Sequence, residues 1–449
     1  MNFGSSFFFS LFYHPLRFPF MSSVKSVSPS FAVFRCRDFS LLTLNQCCLT
    51  QAILIQEILV AYSLYQLTQN PMSLGLVGLI EFIPFVCLSL WGGYVADRFN
   101  RQRILQWCFS CSVPLACLLW FSFFIHTQQQ ISTTTFLCCT YGLLFLFGCI
   151  RGLYSPCFNS LRPFLIPKTQ YSQAATWTAL CWQINAILAP ILAGLLIAYT
   201  GLYFTFFCTV AFFSLGSIAL WCMRPREFPP IQHHSVISSL KEAIHFIYHS
   251  PMMFWSIFLD LASVFFGGII ALLPIFAQDI LHLGAEGFGL LRAAPAIGAL
   301  LTMSILVKYP PQQKVWRTLL LAVSGFACCT LIFTQIRHLY SAMIILMLMG
   351  ACDSISIVIR QTLLQWIPPK HMLGRIAAIN GIFVTSSNEL GALQSSIMAR
   401  FFTVVPAMFI GGSLSLLSVS LTYWRTRQLL QFKLKNDSVD SHKTSISAD

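Results

Sequence analysis

Acidic residues are scarce in this chain, with 14 Asp and Glu among 449 residues, and charged residues of both signs make up only 9%. A soluble protein carries roughly 25% charged residues, so the polar surface that two or three water-soluble domains would need is missing. With 56% hydrophobic residues, 42 of them Phe, the disordered and collagen-like classes are excluded as well. No G-x-x-x-x-G-K-S/T loop is present to hold a nucleotide, and neither the H-E-x-x-H helix nor the nucleophile elbow occurs. Four-ligand zinc spacing is lacking too. The 17 cysteines do not form a disulfide framework, because Cys47-Cys48, Cys138-Cys139 and Cys328-Cys329 are adjacent pairs inside apolar runs. Cys108 and Cys111 form a C-x-x-C within an apolar helix, where free Cys behaves as a small hydrophobe. No catalytic constellation emerges, so the chain is read as no enzyme, with no cofactor and no metal.

What is there is long apolar runs of about 20 residues, the length that crosses a bilayer as a helix. In hydrocarbon only helices and closed barrels satisfy every backbone group, and these runs lack the alternation of barrel strands. Twelve spans are predicted, near 40–65, 73–96, 103–126, 135–160, 172–198, 201–222, 252–277, 284–308, 315–335, 339–366, 373–398 and 402–424. One sizeable polar interruption, containing Arg224, Arg226, His233, His234 and Lys241, divides them six and six. The expected organisation is an N-terminal segment 1–36, a six-helix bundle 37–222, a linker 223–250, a second bundle 251–424 and a tail 425–449. The apolar stretch in the first 20 residues is short and interrupted by His14 and Pro15, which makes it a poor span. Met21 is read as an alternative start.

A net charge of +13 invites a nucleic-acid reading, but the basic residues fall on alternate loops. Arg35 and Arg37 precede the first span; Arg98, Arg101 and Arg103 follow the second, Lys168 the fourth, and Arg224 and Arg226 the sixth. Lys308, Lys314 and Arg317 follow the eighth span, Lys370 and Arg375 the tenth, and Arg425 and Arg427 the twelfth. The opposite loops, such as 69–74 and 127–135, are nearly free of Lys and Arg, with Arg337 and Arg400 as exceptions. Cytoplasmic loops carry that excess, so both termini and the linker are expected in the cytoplasm, with no nucleic-acid partner.

The halves repeat. GLIEFIP (78–84) in the second span matches GLLRAAP (289–295) in the eighth, and Pro167 and Pro368 coincide after the fourth and tenth spans. Parallel six-helix repeats joined by a cytoplasmic connector are one transporter architecture. In GGYVADRFNRQRIL (92–105), residues Gly93, Asp97, Arg98, Arg101 and Arg103 resemble the loop between the second and third spans of the major facilitator superfamily. Asn100 stands where that family usually has Gly. SLGLVGLIEFIPF, SPCFNSLRPFLIPK, GAEGFGLLRAAPAIGALL and GRIAAINGIF resemble the branch with enterobactin exporters and macrolide efflux pumps. ILAPILAGLL (187–196) is similar to the Gly-Pro motif of the fifth span in antiporters; Pro190 and Gly194 are kept, and Ala189 replaces the Gly before the proline. The resemblance implies twelve transmembrane helices in two pseudo-symmetric six-helix bundles, an all-α integral membrane fold.

Ionisable groups inside the spans are costly and mark function. Glu57, Glu81, Asp260, Asp353 and Glu389 lie within spans, as do Arg151 and Arg292, with Arg360 towards the end of the tenth. Glu57 shares a polar stripe with Gln46 and Thr50 at helical spacing. Glu57, Asp260 and Glu389 are the candidates to carry a proton. Glu81 and Arg292 are equivalent in the repeat, as are Arg151 and Asp353 when Gly148 is aligned with Gly350. Opposite charges at these sites point to pairing across the interface of the halves. Asp97, an acid in a positive loop, is expected to cap or pair with a neighbour and to act with the arginines as a gate. Trp177, Trp182, Tyr154 and Phe265 are aromatic candidates for a cavity wall.

These readings converge on a proton-coupled exporter of a small amphipathic molecule, siderophore- or drug-like, working by alternating access. Its expected partners are that molecule, protons and the lipid bilayer of a bacterial inner membrane, and it is expected to be a monomer. An importer or symporter of a small metabolite, and a transport-inactive membrane sensor, are the alternatives.

Overall fold

Every predicted span folds as a helix, as a backbone in hydrocarbon must. The computed structural model describes residues 33–225, 236–309, 314–369 and 372–431, so the Met21 start lies outside the described residues, as does the tail beyond 431. The first four spans are α1 (Arg37–Thr68), α2 (Pro71–Arg98), α3 (Arg101–Thr127) and α4 (Thr133–Leu161). The fifth and sixth form one run, Tyr171–Trp221, broken at Gly201, where φ is 82° and ψ 172°. That backbone region is open essentially to glycine alone, which fixes the corner between two arms, α5 (171–200) and α6 (202–221). A linker helix α7 (Val236–His249) leads to a divided seventh span, α8 (Pro251–Phe266) and α9 (Ile269–Ile275), extended by one π turn at Phe276–Ile280. Then come α10 (Ala285–Lys308), α11 (Val315–Phe333), α12 (Leu339–Trp366), α13 (Leu373–Phe402) and α14 (Val404–Arg425). Among the described residues, each of the twelve expected spans is helical.

Local chemistry sets several helix starts. The Asn70 side chain accepts from the Met72 amide at 3.0 Å, with Pro71 in the first helical position of α2. Asn100 caps α3 in the same way, accepting from the amides of Gln102 (3.0 Å) and Arg103 (3.3 Å). A glycine there would make neither bond, so the departure at Asn100 has a physical role. The Ser132 hydroxyl accepts from the Thr135 amide at 3.2 Å to begin α4. Arg337, one of the two misplaced arginines, donates to the Thr334 and Ile336 carbonyls at 2.9 and 2.8 Å, just past the C-terminus of α11. Arg400 sits in the last turn of α13. Both answer the partial negative charge of a helix end.

Small residues let the helices approach. A Cβ at Gly148 on α4 would collide with the Glu81 carbonyl and the Pro84 ring of α2. At the equivalent Gly350 on α12, a Cβ would collide with the Pro295 carbonyl of α10. The repeat seen in the sequence is therefore a repeat of contacts. Large apolar side chains such as Trp91, Phe121, Phe207, Ile305 and Leu417 stand exposed on the outer surface, an arrangement that suits lipid and not water. The linker helix α7 buries Ala243 and Ile247 against Met253, Ile257 and Ile376, and Glu242 pairs with Arg375 at 2.7 Å, which ties the linker to the second bundle.

Two faces of the interface join the bundles: α2 packs against α13, and α5 against α10. Gly75 of α2 lies against Leu393 and Ser396 of α13, while Pro190 and Gly194 of α5 lie against Gly289 of α10. These contacts sit towards the end of the molecule that is poor in arginine. At the arginine-rich end the described contacts close within each bundle. Gln102 and Gln106 of α3 donate to the Met223 and Leu220 carbonyls at 3.5 and 3.0 Å, and the Trp316 indole donates to the Thr426 hydroxyl at 2.9 Å.

Candidate transport site

Intramembrane charges from five helices meet where the bundles join. Glu57 of α1 accepts from the Arg292 guanidinium of α10 at 2.6 Å, an ion pair that crosses from one bundle to the other. Glu81 of α2 and Arg151 of α4 approach to 3.9 Å inside the first bundle, and the Arg151 guanidinium lies 5.2 Å from the centre of the Phe85 ring. Glu389 of α13 reaches across to Gly78 of α2, a position where any side chain would displace it. Each of the three carboxylates lies within electrostatic reach of the others and of Arg151. Glu389 makes no ion pair with a described residue.

Beside the Glu57–Arg292 pair lies a cavity of about 180 Å³, lined by Leu54 and Ile58 of α1, Trp182 and Pro190 of α5, Ile270 of α9 and Arg292. Its walls come from both bundles, and they are apolar except for the Arg292 head. Of the four aromatic candidates, Trp182 is the one among the residues lining this cavity. Ligand pockets share this character, mostly apolar with a few placed polar groups, but usually enclose about 300 Å³ or more. The break in the seventh span contributes Ile270. Gly267 ends α8 and Gly268 begins α9 there, and a Cβ on Gly268 would meet the Gly391 carbonyl and the Ser395 hydroxyl of α13. Discontinuous helices at the midplane are a recurrent transporter device. The adjacent glycines in an apolar run were its legible signal.

The expected cross-bundle pairing is corrected in detail. Arg292 pairs with Glu57, Glu81 and Arg151 pair within one bundle, and Asp353 of α12 makes no ion pair with a described residue. The reason is topological: α2 faces α13 and α10 faces α5, so residues related by the repeat are not neighbours. Asp260, grouped with the proton-carrier candidates, is buried within the second bundle and bonded there by Arg360 of α12, which is buried as well. In the gate motif, the surroundings of Gly93, Asp97 and Arg98 lie outside the described residues. Arg101 is buried with its guanidinium 5.1 Å from the centre of the Phe164 ring, while Arg103 is exposed.

Three cross-bundle contacts escaped the sequence. The Tyr65 hydroxyl of α1 donates to the Asp279 carboxylate in the π turn, Tyr62 stacks on Phe288 of α10 at 6.3 Å, and the Gln183 amide donates to the Ala296 carbonyl at 2.7 Å. Tyrosine at a span end reads as an interfacial aromatic, so nothing in the sequence singled out Tyr65. Its bond to Asp279 joins the bundles at the arginine-poor end and is expected to act as a latch there. Tyr65→Phe removes a hydrogen bond to a charged group worth about 1.5 kcal/mol or more, which opens that end roughly tenfold more often. The expected readout is faster alkylation of a cysteine introduced at buried Ser396, counted above the native thiols. An unchanged rate discards the latch.

The profile of the transmembrane secretion effector family matches residues 28–445, nearly the whole chain. Over 397 residues the chain is 24% identical to the enterobactin exporter EntS of Citrobacter koseri, covering 87% of this chain and 90% of that one. Among solved structures, a bacterial homologue of the iron transporter ferroportin in an inward-facing state superimposes with a TM-score of 0.68 at 14% identity, covering 88% of this chain and 99% of that one. A bacterial homologue of the human lysosomal transporter Spinster, inward-facing and unoccupied, gives 0.65 at 15% identity over 92% and 100%. At these identities the structural likeness establishes the fold.

Proposed function

The chain belongs to the transmembrane secretion effector family of major facilitator transporters, and from that premise we propose that it exports a small amphipathic molecule, siderophore- or drug-like, in exchange for protons. The family makes it a multi-pass membrane transporter of small molecules and not an enzyme. Export is favoured by the distant kinship with enterobactin exporters. Coupling is favoured by one observation above all, the Glu57–Arg292 pair that bridges the bundles beside the cavity.

The charge pattern sets the orientation in this reading. With the arginine-rich end in the cytoplasm, both termini are inside, and bundles joined at the opposite end leave the cavity facing the cytoplasm. Cargo enters from that side. Glu57 in its charged form holds Arg292 and keeps the bundles together at the outer end, so the empty protein stays inward-facing. Neutralising Glu57 releases Arg292 and permits the swing outward, a ligand-driven shift between two states. One chain supplies both bundles and the whole cavity, which fits a working monomer in a bacterial inner membrane.

Asp97 keeps its proposed role as the cytoplasmic gate, formed when the inner ends close. Asp97→Asn is expected to leave membrane levels intact and to cut transport about tenfold or more. Normal transport by the folded variant discards that role. The proposal as a whole is tested in liposomes holding an internal pH dye. Siderophores, macrolides, lysolipids and dyes are added singly under an imposed pH gradient. A compound that moves protons only when the protein is present supports the proposal; compound flux without proton movement contradicts the coupling.

A further inference from the structure

Away from the junction of the bundles, a pair of side chains on the linker has the arrangement of a ligand set. The linker helix α7 reads VISSLKEAIHFIYH and ends in His249, with His245 one turn before it. Residues four apart share a helix face, and these two imidazole rings meet with centroids 4.0 Å apart. Both residues are exposed, while Ala243 and Ile247 on the opposite face are buried against the second bundle. The His249 Nδ1–H donates to the His245 carbonyl at 2.9 Å. A carbonyl only accepts, so that bond fixes the ring proton on Nδ1 and leaves the lone pair on Nε2. Metal-binding imidazoles are commonly held in this way, the far nitrogen donating to a carbonyl. Tyr248 packs edge-on against the His249 ring at 5.7 Å and against Phe254 of α8 at 5.8 Å, which narrows the rotation of the imidazole.

We infer that His245 and His249 chelate a divalent transition-metal ion, Zn²⁺ or Ni²⁺, and that the ion clips the last two turns of α7. Two histidines at this spacing on one helix face are a recurrent zinc grip. Imidazole suits Zn, Cu and Ni, whereas Mg²⁺ and Ca²⁺ take oxygen ligands. Glu242, three residues before His245, is engaged by Arg375 at 2.7 Å, so the two imidazoles supply the protein ligands and water completes the shell. The ion sits in the last turn of the helix, where the carbonyl ends carry a partial negative charge that favours a cation. Both ligands belong to one helix, and Ile247 and Glu242 tie that helix to the second bundle. The clip therefore steadies the connector without bridging the bundles, and it stands apart from cargo and proton exchange.

The test is a calorimetric titration of the full-length protein, free of any affinity tag, with Ni²⁺ in detergent. Binding is expected to be competed by Zn²⁺ and not by an excess of Mg²⁺ or Ca²⁺. A chelate gains from holding its second ligand at high effective concentration, so His245→Gln and His249→Gln are each expected to weaken it about a hundredfold. Both positions are exposed, and an unchanged unfolding temperature without metal is the control for folding. Hydrogen exchange of the α7 amides gives a second readout. With free Ni²⁺ at about ten times its dissociation constant, exchange over residues 245–249 should slow about tenfold in the parent and not in the variants. An ion held by thiols elsewhere in the chain would leave that exchange unaltered. Affinity that survives both substitutions overturns the inference, as does a loss confined to one histidine or exchange in α7 indifferent to Ni²⁺. An equal loss on replacing His233 and His234 with alanine would also overturn it, by assigning the ion to those residues. No transport is measured, so the exporter reading stands or falls separately.

Discussion

Glu57→Gln is expected to leave the protein folded in the membrane and to reduce proton-coupled transport about tenfold or more. Glutamine keeps the shape and can still accept from Arg292, but it neither carries a proton nor holds the charge that binds the bundles together. The partly exposed position of Glu57 beside a cavity means that the change removes no buried packing, so membrane levels serve as the control. The loss should appear in the coupled exchange rate. If the variant exchanges substrate for protons at the normal rate, Glu57 is not the carrier, and Glu389, at the same junction, takes its place.

The second large effect is on stability. Asp260→Asn leaves Arg360 charged, buried and deprived of its carboxylate inside the second bundle. Breaking such a pair costs about 3–5 kcal/mol, whereas replacing both partners with apolar residues of similar volume is often neutral. Thermal unfolding in detergent should therefore fall sharply for Asp260→Asn and recover in the double variant Asp260→Leu with Arg360→Met. Should the single variant unfold like the parent, the pair is not structural. A double variant that is stable yet transports normally would show that Asp260 carries no proton.

These two acids show what the sequence could and could not convey. An acid in an apolar run is conspicuous, so Glu57, Glu81, Asp260, Asp353 and Glu389 were all found. The hydropathy of the runs likewise revealed the spans, and the matching segments 78–84 and 289–295 revealed the repeat. Which acid pairs with which arginine depends on how helices far apart in the chain are apposed. Glu57 and Arg292 are 235 positions apart, and their contact follows from the facing of α1 and α10 across the bundles. The same apposition separates Glu57 at the junction from Asp260 inside one bundle, a distinction that residue type does not carry. Tyr65 and Asp279 were hidden for a different reason. Each is ordinary at a span end, and only the π turn after α9 brings them together.

Gly201 and the Gly267–Gly268 pair make the complementary point. Glycine within an apolar run signals a break, a corner or a close approach without saying which. The structure distinguishes them: φ of 82° turns α5 into α6 at Gly201, whereas Gly268 begins α9 against the backbone of α13. The first separates two spans. The second divides one span next to the cavity, and so bears on transport.

The central claim is that neutralising Glu57 exchanges the closed end of the molecule for the open one. Distances between spin labels test it most directly, one pair at the exposed positions Gln66 and His282 at the arginine-poor end, another at Arg103 and Arg317 at the opposite end. Labels introduced through an unnatural amino acid spare the native cysteines. On lowering the pH, the first distance should lengthen and the second shorten, and Glu57→Gln should show the low-pH pattern at neutral pH. Distances that ignore both the pH and the substitution, or that lengthen together at both ends, would contradict the account.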